Sequence, residues 1–228
     1  MDVKRSMWVG CTVSLTAWLS WRWYRGKLPS KDRSVDRRLR VVITGASRGF
    51  GKALAREYVR CGDDVILAGR QYAKLQEVAK EFETLKVHSD QKLLIQQVDV
   101  QNFAEMEVLR VFTEEHFGKV DIWINNAGIS QQEKSRLVDT PSETIDRIIR
   151  TNVLGTLHGT RNASRIIMTQ GHPGHIFNVD GAGSRGMATP NFATYGFSKA
   201  GMPQLLSSLS KKIKILISKF ICSARAWY

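Results

Sequence analysis

Tyr195 and Lys199 stand four residues apart in the string TYGFSK (194–199). On a helix that spacing puts both side chains on one face. An ammonium beside a phenol lowers the phenol pKa from its reference of about 10, making the tyrosine a usable acid or base near neutrality. The spacing alone occurs by chance in many proteins. The motifs that precede it in order give it weight. TGASRGFG (44–51) offers glycines where a dinucleotide would lie. Gly45 permits a tight turn, while Gly49 and Gly51 let backbone N–H groups and a helix N-terminus approach a pyrophosphate. The next apolar run ends in Ala68-Gly69-Arg70. A carboxylate there would bind the ribose hydroxyls of NAD, whereas Arg70, with Arg48 in the first loop, suits a 2′-phosphate and predicts NADPH (NADP+). Asp99 is placed to accept from an adenine amino group. Asn125, Asn126, Ala127 and Gly128 would close over the cofactor, and Asn152 sits in a long helical stretch.

These residues need a scaffold, and the chain alternates strand-like and helix-like segments from Leu39 onward. Apolar runs at 40–44, 64–69, 93–100, 120–128 and 175–180 read as five strands. Segments 52–61, 73–85, 103–117, 142–169 and 195–212 read as helices, with 142–169 as one long helix. Strands that are apolar throughout and separated by helices indicate a parallel sheet covered on both faces. The expected fold class is therefore α/β, a doubly wound parallel sheet of the Rossmann type in a single domain, with its ligand at the carboxyl ends of the strands. His172 and His175 flank Pro173-Gly174 without further ligands at metal spacing, so no metal is expected. Cys61 reads as a small packing residue rather than a nucleophile.

The 228 residues carry a net charge of +13, but its distribution argues against a nucleic-acid partner. Residues 1–40 hold +7, residues 211–228 hold +5, and the 170 between them only +1. A near-neutral body with basic ends fits a membrane surface or a targeting segment better than a duplex-binding face. The sixteen uncharged residues between Arg5 and Arg22 are short for a span of about 20 residues. Trp8, Trp18, Trp21, Trp23 and Tyr24 are nevertheless of the interfacial type. The expected organisation is a basic-apolar leader (1–38) that anchors, targets or is inert, with membrane contact through residues 7–24. A nucleotide-binding domain (39–212) and a basic-apolar tail (213–228) follow. Three distant cysteines exclude a disulfide framework.

In this order, the Gly-rich loop, the Asn-Asn-Ala-Gly turn and the Tyr–Lys pair resemble the short-chain dehydrogenase/reductase family from residue 39 to about 212. The resemblance implies that Tyr195 donates the proton and that Lys199 holds the nicotinamide ribose and assists Tyr195. It implies that Asn152 holds a relay water. It also implies that Thr44, Gly45, Ser47, Arg48, Gly49, Phe50, Gly51, Arg70, Asp99, Val100, Asn126, Ala127 and Gly128 bind the dinucleotide. The family's usual catalytic serine is missing: counting back from Tyr195, its slot falls on Ala182. Two stand-ins remain open, Ser184 after a loop rearrangement or a backbone N–H of residues 181–183. The strings HIFNVDGAGS, GKALAREY and VDIWINNAG are similar to the chlorophyll(ide) b reductase group of plants and green algae. That similarity implies reduction of the chlorin formyl group by NADPH at the stromal side of a thylakoid membrane. The alternatives are a membrane-associated reductase of another apolar ketone or aldehyde, lipid or steroid, in endomembranes, or an inactive dinucleotide-binding homologue. The family also implies a homodimer or a heterodimer with a related reductase through the long helices. Only 29 residues follow Lys199 and they contain no Pro-Gly loop. The last strands of the family are therefore expected to be missing, unless IKILISKFI serves as a makeshift strand.

Overall fold

The computed structural model describes residues 38–210 and 219–220. The leader expectations, membrane contact through residues 7–24 included, lie outside these residues, as does most of the tail. The described chain runs β1 (Arg40–Thr44), α1 (Gly49–Arg60), β2 (Asp64–Gly69), α2 (Tyr72–Glu83), β3 (Leu93–Gln97), α3 (Phe103–Phe117) and β4 (Ile122–Asn125). It continues with α4 (Ser142–Ile149), α5 (Gly155–Thr169), β5 (His175–Val179), α6 (Ala193–Ser210) and β6 (Lys219–Phe220). All strands pair in parallel, in the order β3-β2-β1-β4-β5-β6. The two-residue β6 beside β5 comes from the tail segment that the sequence leaves as a makeshift strand.

Alternation along the strands builds the two cores. Val41 and Ile43 of β1, with Val65 and Leu67 of β2, face Leu54 and Tyr58 of α1 and Leu75 and Phe82 of α2. Val42, Ile66 and Ala68 face the opposite layer, against Met106 and Leu109 of α3 and Ala163 and Ile166 of α5. Both sheet faces are thus covered, as continuous apolar strands require. The strand order reverses between β1 and β4, which opens a crevice at their carboxyl ends.

The expected single helix over 142–169 is instead two α-helices joined by a π turn at Arg150–Leu154. The turn accommodates Asn152, whose amide is fully buried and bonded to two other segments. The third strand ends at Gln97, and beyond it the Asp99 N–H donates to the Glu105 carboxylate rather than to a neighbouring strand. Among the described residues, no helix is long and apolar enough to cross a membrane.

Candidate active site

The first half of the site is the turn from β1 into α1. Thr44 ends β1 with its hydroxyl buried, where Oγ1 accepts the Asn126 and Ala127 N–H groups, each at 3.1 Å. Asn126 Nδ2 returns two hydrogen bonds, to the Thr44 carbonyl at 2.9 Å and the Gly45 carbonyl at 3.1 Å. The turn after β4 is thereby laced to the turn after β1. Two glycines make room for this. A Cβ at Gly45, where φ is +67°, would fall 2.9 Å from the Ala127 Cα, and one at Gly51 would overlap Asn126 Nδ2 and the Gly45 carbonyl. Gly49 differs: its φ is +55°, and nothing lies within 4 Å of where its Cβ would point. That open, left-handed glycine opens α1 and leaves free space beside the positive end of a helix. A phosphate fits there.

Around this cradle Arg48 is exposed and Ser47 and Phe50 are half-buried. Arg70 lies 3.9 Å from the Asp99 carboxylate, both partly exposed. The two residues expected at the adenosine end therefore meet across the ends of β2 and β3. Val100 is buried, close against Gly155, and its carbonyl bonds the His158 ring.

The second half is built by α6, β5 and the π turn. Tyr195 is half-buried and Lys199 is buried, with its Nζ 6.0 Å from the centre of the Tyr195 ring and 3.0 Å from the Val179 carbonyl that it bonds. Asn152 holds the centre. Its Oδ1 accepts from the Ile129 N–H at 2.8 Å, and its Nδ2 donates to the Ile129 carbonyl at 2.8 Å and to Ser198 Oγ at 2.9 Å. Both amide hydrogens bond protein atoms, so the amide is a strut between the chain after β4 and α6. Ser198 passes the connection on by donating to the Tyr195 carbonyl at 2.7 Å.

The loop after β5 corrects the count made from sequence. The residue against the Tyr195 hydroxyl is Gly181: a Cβ there would overlap Tyr195 Oη and lie 3.4 Å from Lys199 Cγ. Ala182 is therefore not the residue facing the phenol, because the loop between β5 and α6 does not keep the length that the count assumes. The Gly181 N–H, one of the proposed donors, is occupied by Asp180 Oδ1 at 2.9 Å. Ser184 is buried one turn further on, where its own N–H bonds the Gly181 carbonyl at 3.3 Å. Ser198 and Asp180 are thus contributors that motif reading passed over. Asn191, the one non-glycine residue with positive φ among those described, is another. Its carbonyl accepts from Gln131 Nε2 and the Ser135 N–H, joining the loops after β4 and β5. An open groove of about 460 Å³ alongside is lined by Met187, Pro190, Ala193, Phe197 and Ala200.

The short chain dehydrogenase family model matches residues 40–217. The chloroplastic chlorophyll(ide) b reductase NOL of Arabidopsis thaliana is 34% identical over 77% of this chain and 49% of its own length. A chloroplastic protein of Oryza sativa subsp. japonica, named as a probable chlorophyll(ide) b reductase, is 39% identical over 75% of this chain and 36% of its own. The chain thus spans half or less of the length of these relatives. A solved serine dehydrogenase in its closed form, complexed with NADP+, superposes with a TM-score of 0.68 at 29% identity, covering 76% of this chain and 66% of that one.

Proposed function

Because this chain belongs to the short-chain dehydrogenase/reductase family of oxidoreductases, we propose that it reduces the formyl group of chlorophyll(ide) b with NADPH, within the chloroplast. The observation that carries the reading is the similarity to chlorophyll(ide) b reductases over three quarters of the chain, together with a Tyr–Lys pair beside an open dinucleotide cradle. The residues present fit the cofactor. Gly49 leaves room for the pyrophosphate at the α1 N-terminus, and Arg48 and Arg70 supply guanidinium groups for a 2′-phosphate. When bound, the dinucleotide supplies the hydride.

The protein's own part is acid catalysis and positioning. Tyr195 delivers a proton to the carbonyl oxygen as negative charge develops there. Lys199, held at the Val179 carbonyl, keeps a cation beside the phenol and would hold the nicotinamide ribose. Asn152 and Ser198 fix the helix that carries both. The apolar groove beside Phe197 supports an apolar substrate such as a pigment. No nucleic acid is part of this reading. The exposed apolar side chains Leu157 of α5 and Phe197 of α6 support pairing with a second copy or a related reductase.

The test is purified protein with NADPH and chlorophyllide b. The expected product is the hydroxymethyl chlorin, and Tyr195→Phe should abolish its formation while leaving NADPH binding intact. Reduction of lipid or steroid ketones with the pigment untouched would overturn the substrate and leave the reaction class standing.

A further inference from the structure

The loop after β5 contains a carboxylate that the reaction above does not use. Asp180 is only 8% exposed, at the carboxyl end of β5. Among the described residues no cation lies within ion-pair distance of it, and its one side-chain hydrogen bond is the 2.9 Å acceptance from the Gly181 N–H. An ionised carboxylate withdrawn from water costs several kcal/mol unless it is paired or well bonded. A charge-assisted bond to a single peptide N–H offsets part of that cost and fixes the plane of that peptide.

The peptide so fixed is the one against which the Tyr195 hydroxyl rests. No side chain fits at Gly181, since a Cβ would overlap Tyr195 Oη and stand 3.1 Å from Tyr195 Cζ. The loop is then pinned to the same helix at a second point. Gly183, at φ +93°, passes so close that a Cβ would fall 2.6 Å from the Gly196 Cα, and Thr189 covers Gly196 from the other side. The phenol hydroxyl thus fills the space that a side chain at position 181 would need. The position of the Gly181 backbone depends on the orientation of the 180–181 peptide.

We propose that Asp180 is a positioning residue for Tyr195: it holds the Gly181 peptide as a wall that sets where the phenol hydroxyl meets the substrate oxygen. The role belongs to the hydrogen-bond acceptor and not to the negative charge. This rests on Tyr195 acting as the proton donor, and on no particular carbonyl substrate.

The experiment compares Asp180→Ala, Asp180→Leu and Asp180→Asn in the full chain, using chlorophyllide b first and then simple aldehydes. Displacing a reacting group by about 1 Å costs on the order of 100-fold. Ala and Leu should therefore lower kcat by about 10- to 100-fold, with KM and NADPH affinity within about twofold of the parent. Asn keeps an acceptor oxygen and should restore kcat to within about threefold. Amide hydrogen exchange at Gly181 should speed up in the Ala and Leu variants and stay protected with Asn. Unchanged kcat in Ala and Leu would overturn the proposal. So would an Asn variant as slow as Ala, which would assign the role to charge, or loss of folding in both Ala and Leu, which would make Asp180 a stability residue. If the parent protein reduces no carbonyl supplied, the functional reading fails on its own. Gly181 exchange then decides the inference: equal protection in all variants overturns it.

Discussion

Two glycines of one loop separate stability from cofactor affinity. In Gly51→Ala the new methyl group overlaps Asn126 Nδ2 and the Gly45 carbonyl. The Asn126 amide must swing away, giving up its bonds at 2.9 and 3.1 Å. Each bond contributes about 1 kcal/mol. Overpacking a tight site adds about 1–3 kcal/mol, and the gain in helix propensity returns about 1 kcal/mol. The net loss is about 2–4 kcal/mol. At about 2–4 °C per kcal/mol for a chain of this size, Tm should fall by about 4–16 °C. Gly49→Ala meets no neighbour within 4 Å but must hold φ at +55°. That costs about 1–2 kcal/mol, so Tm drops by only about 2–8 °C. Its methyl group, however, projects into the space a phosphate would fill, and NADPH affinity should fall more than tenfold, at least about 1.4 kcal/mol. The assays are thermal melts without cofactor and nicotinamide fluorescence titrations. A Gly51→Ala protein melting within about 1 °C of the parent would refute the packing argument, and a Gly49→Ala protein binding NADPH normally would refute the phosphate site.

Arg70→Asp should narrow or invert a preference for NADPH over NADH by about 1–2 kcal/mol, because it removes a phosphate partner and places a second carboxylate near Asp99. Equal affinities for the two dinucleotides in the parent protein would show that the guanidinium serves only its 3.9 Å pair with Asp99. Ser198→Ala leaves a fully buried Asn152 N–H without an acceptor and should cost about 1–3 kcal/mol in a melt. It should also lower kcat while leaving NADPH affinity unchanged, and an unaltered melt would mean that water replaces the hydroxyl.

Much of this was legible in the sequence because its physics is local. Apolar strands report burial on both faces, and glycines between strand and helix report a backbone that must turn and be approached closely. The Tyr195–Lys199 face follows from helical periodicity alone. The rest depends on distances between segments remote in the chain. The tie Thr44 makes to the second turn depends on β4 bringing Asn126 beside it, 82 residues later. The π turn at Arg150–Leu154 does not disturb an apolar pattern that is already interrupted by the buried polar residues Thr151, Asn152, Thr156 and Thr160. Counting along the loop places the missing serine at Ala182, because a count assumes a loop length. Only the packing of Gly181 on Tyr195 identifies the residue that faces the phenol.

The two halves of the site are held in the same way, and this has a consequence for how they fail. The cradle is tied by Thr44 and Asn126, and the proton-donating half by Asn152, Ser198 and Lys199, all through hydrogen bonds between segments that converge on the strand ends. The apolar clusters lie beneath, on the two faces of the sheet. Apolar packing is non-directional and fixes volume, whereas a buried hydrogen bond fixes orientation and is costly to leave unmade. Where a substitution leaves a buried donor or acceptor unpaired at the strand ends, stability falls and the orientation of Tyr195 is released together. In this fold, damage at the strand ends therefore shows in turnover and melting temperature together, whereas damage in the two layers beneath them shows first in melting temperature.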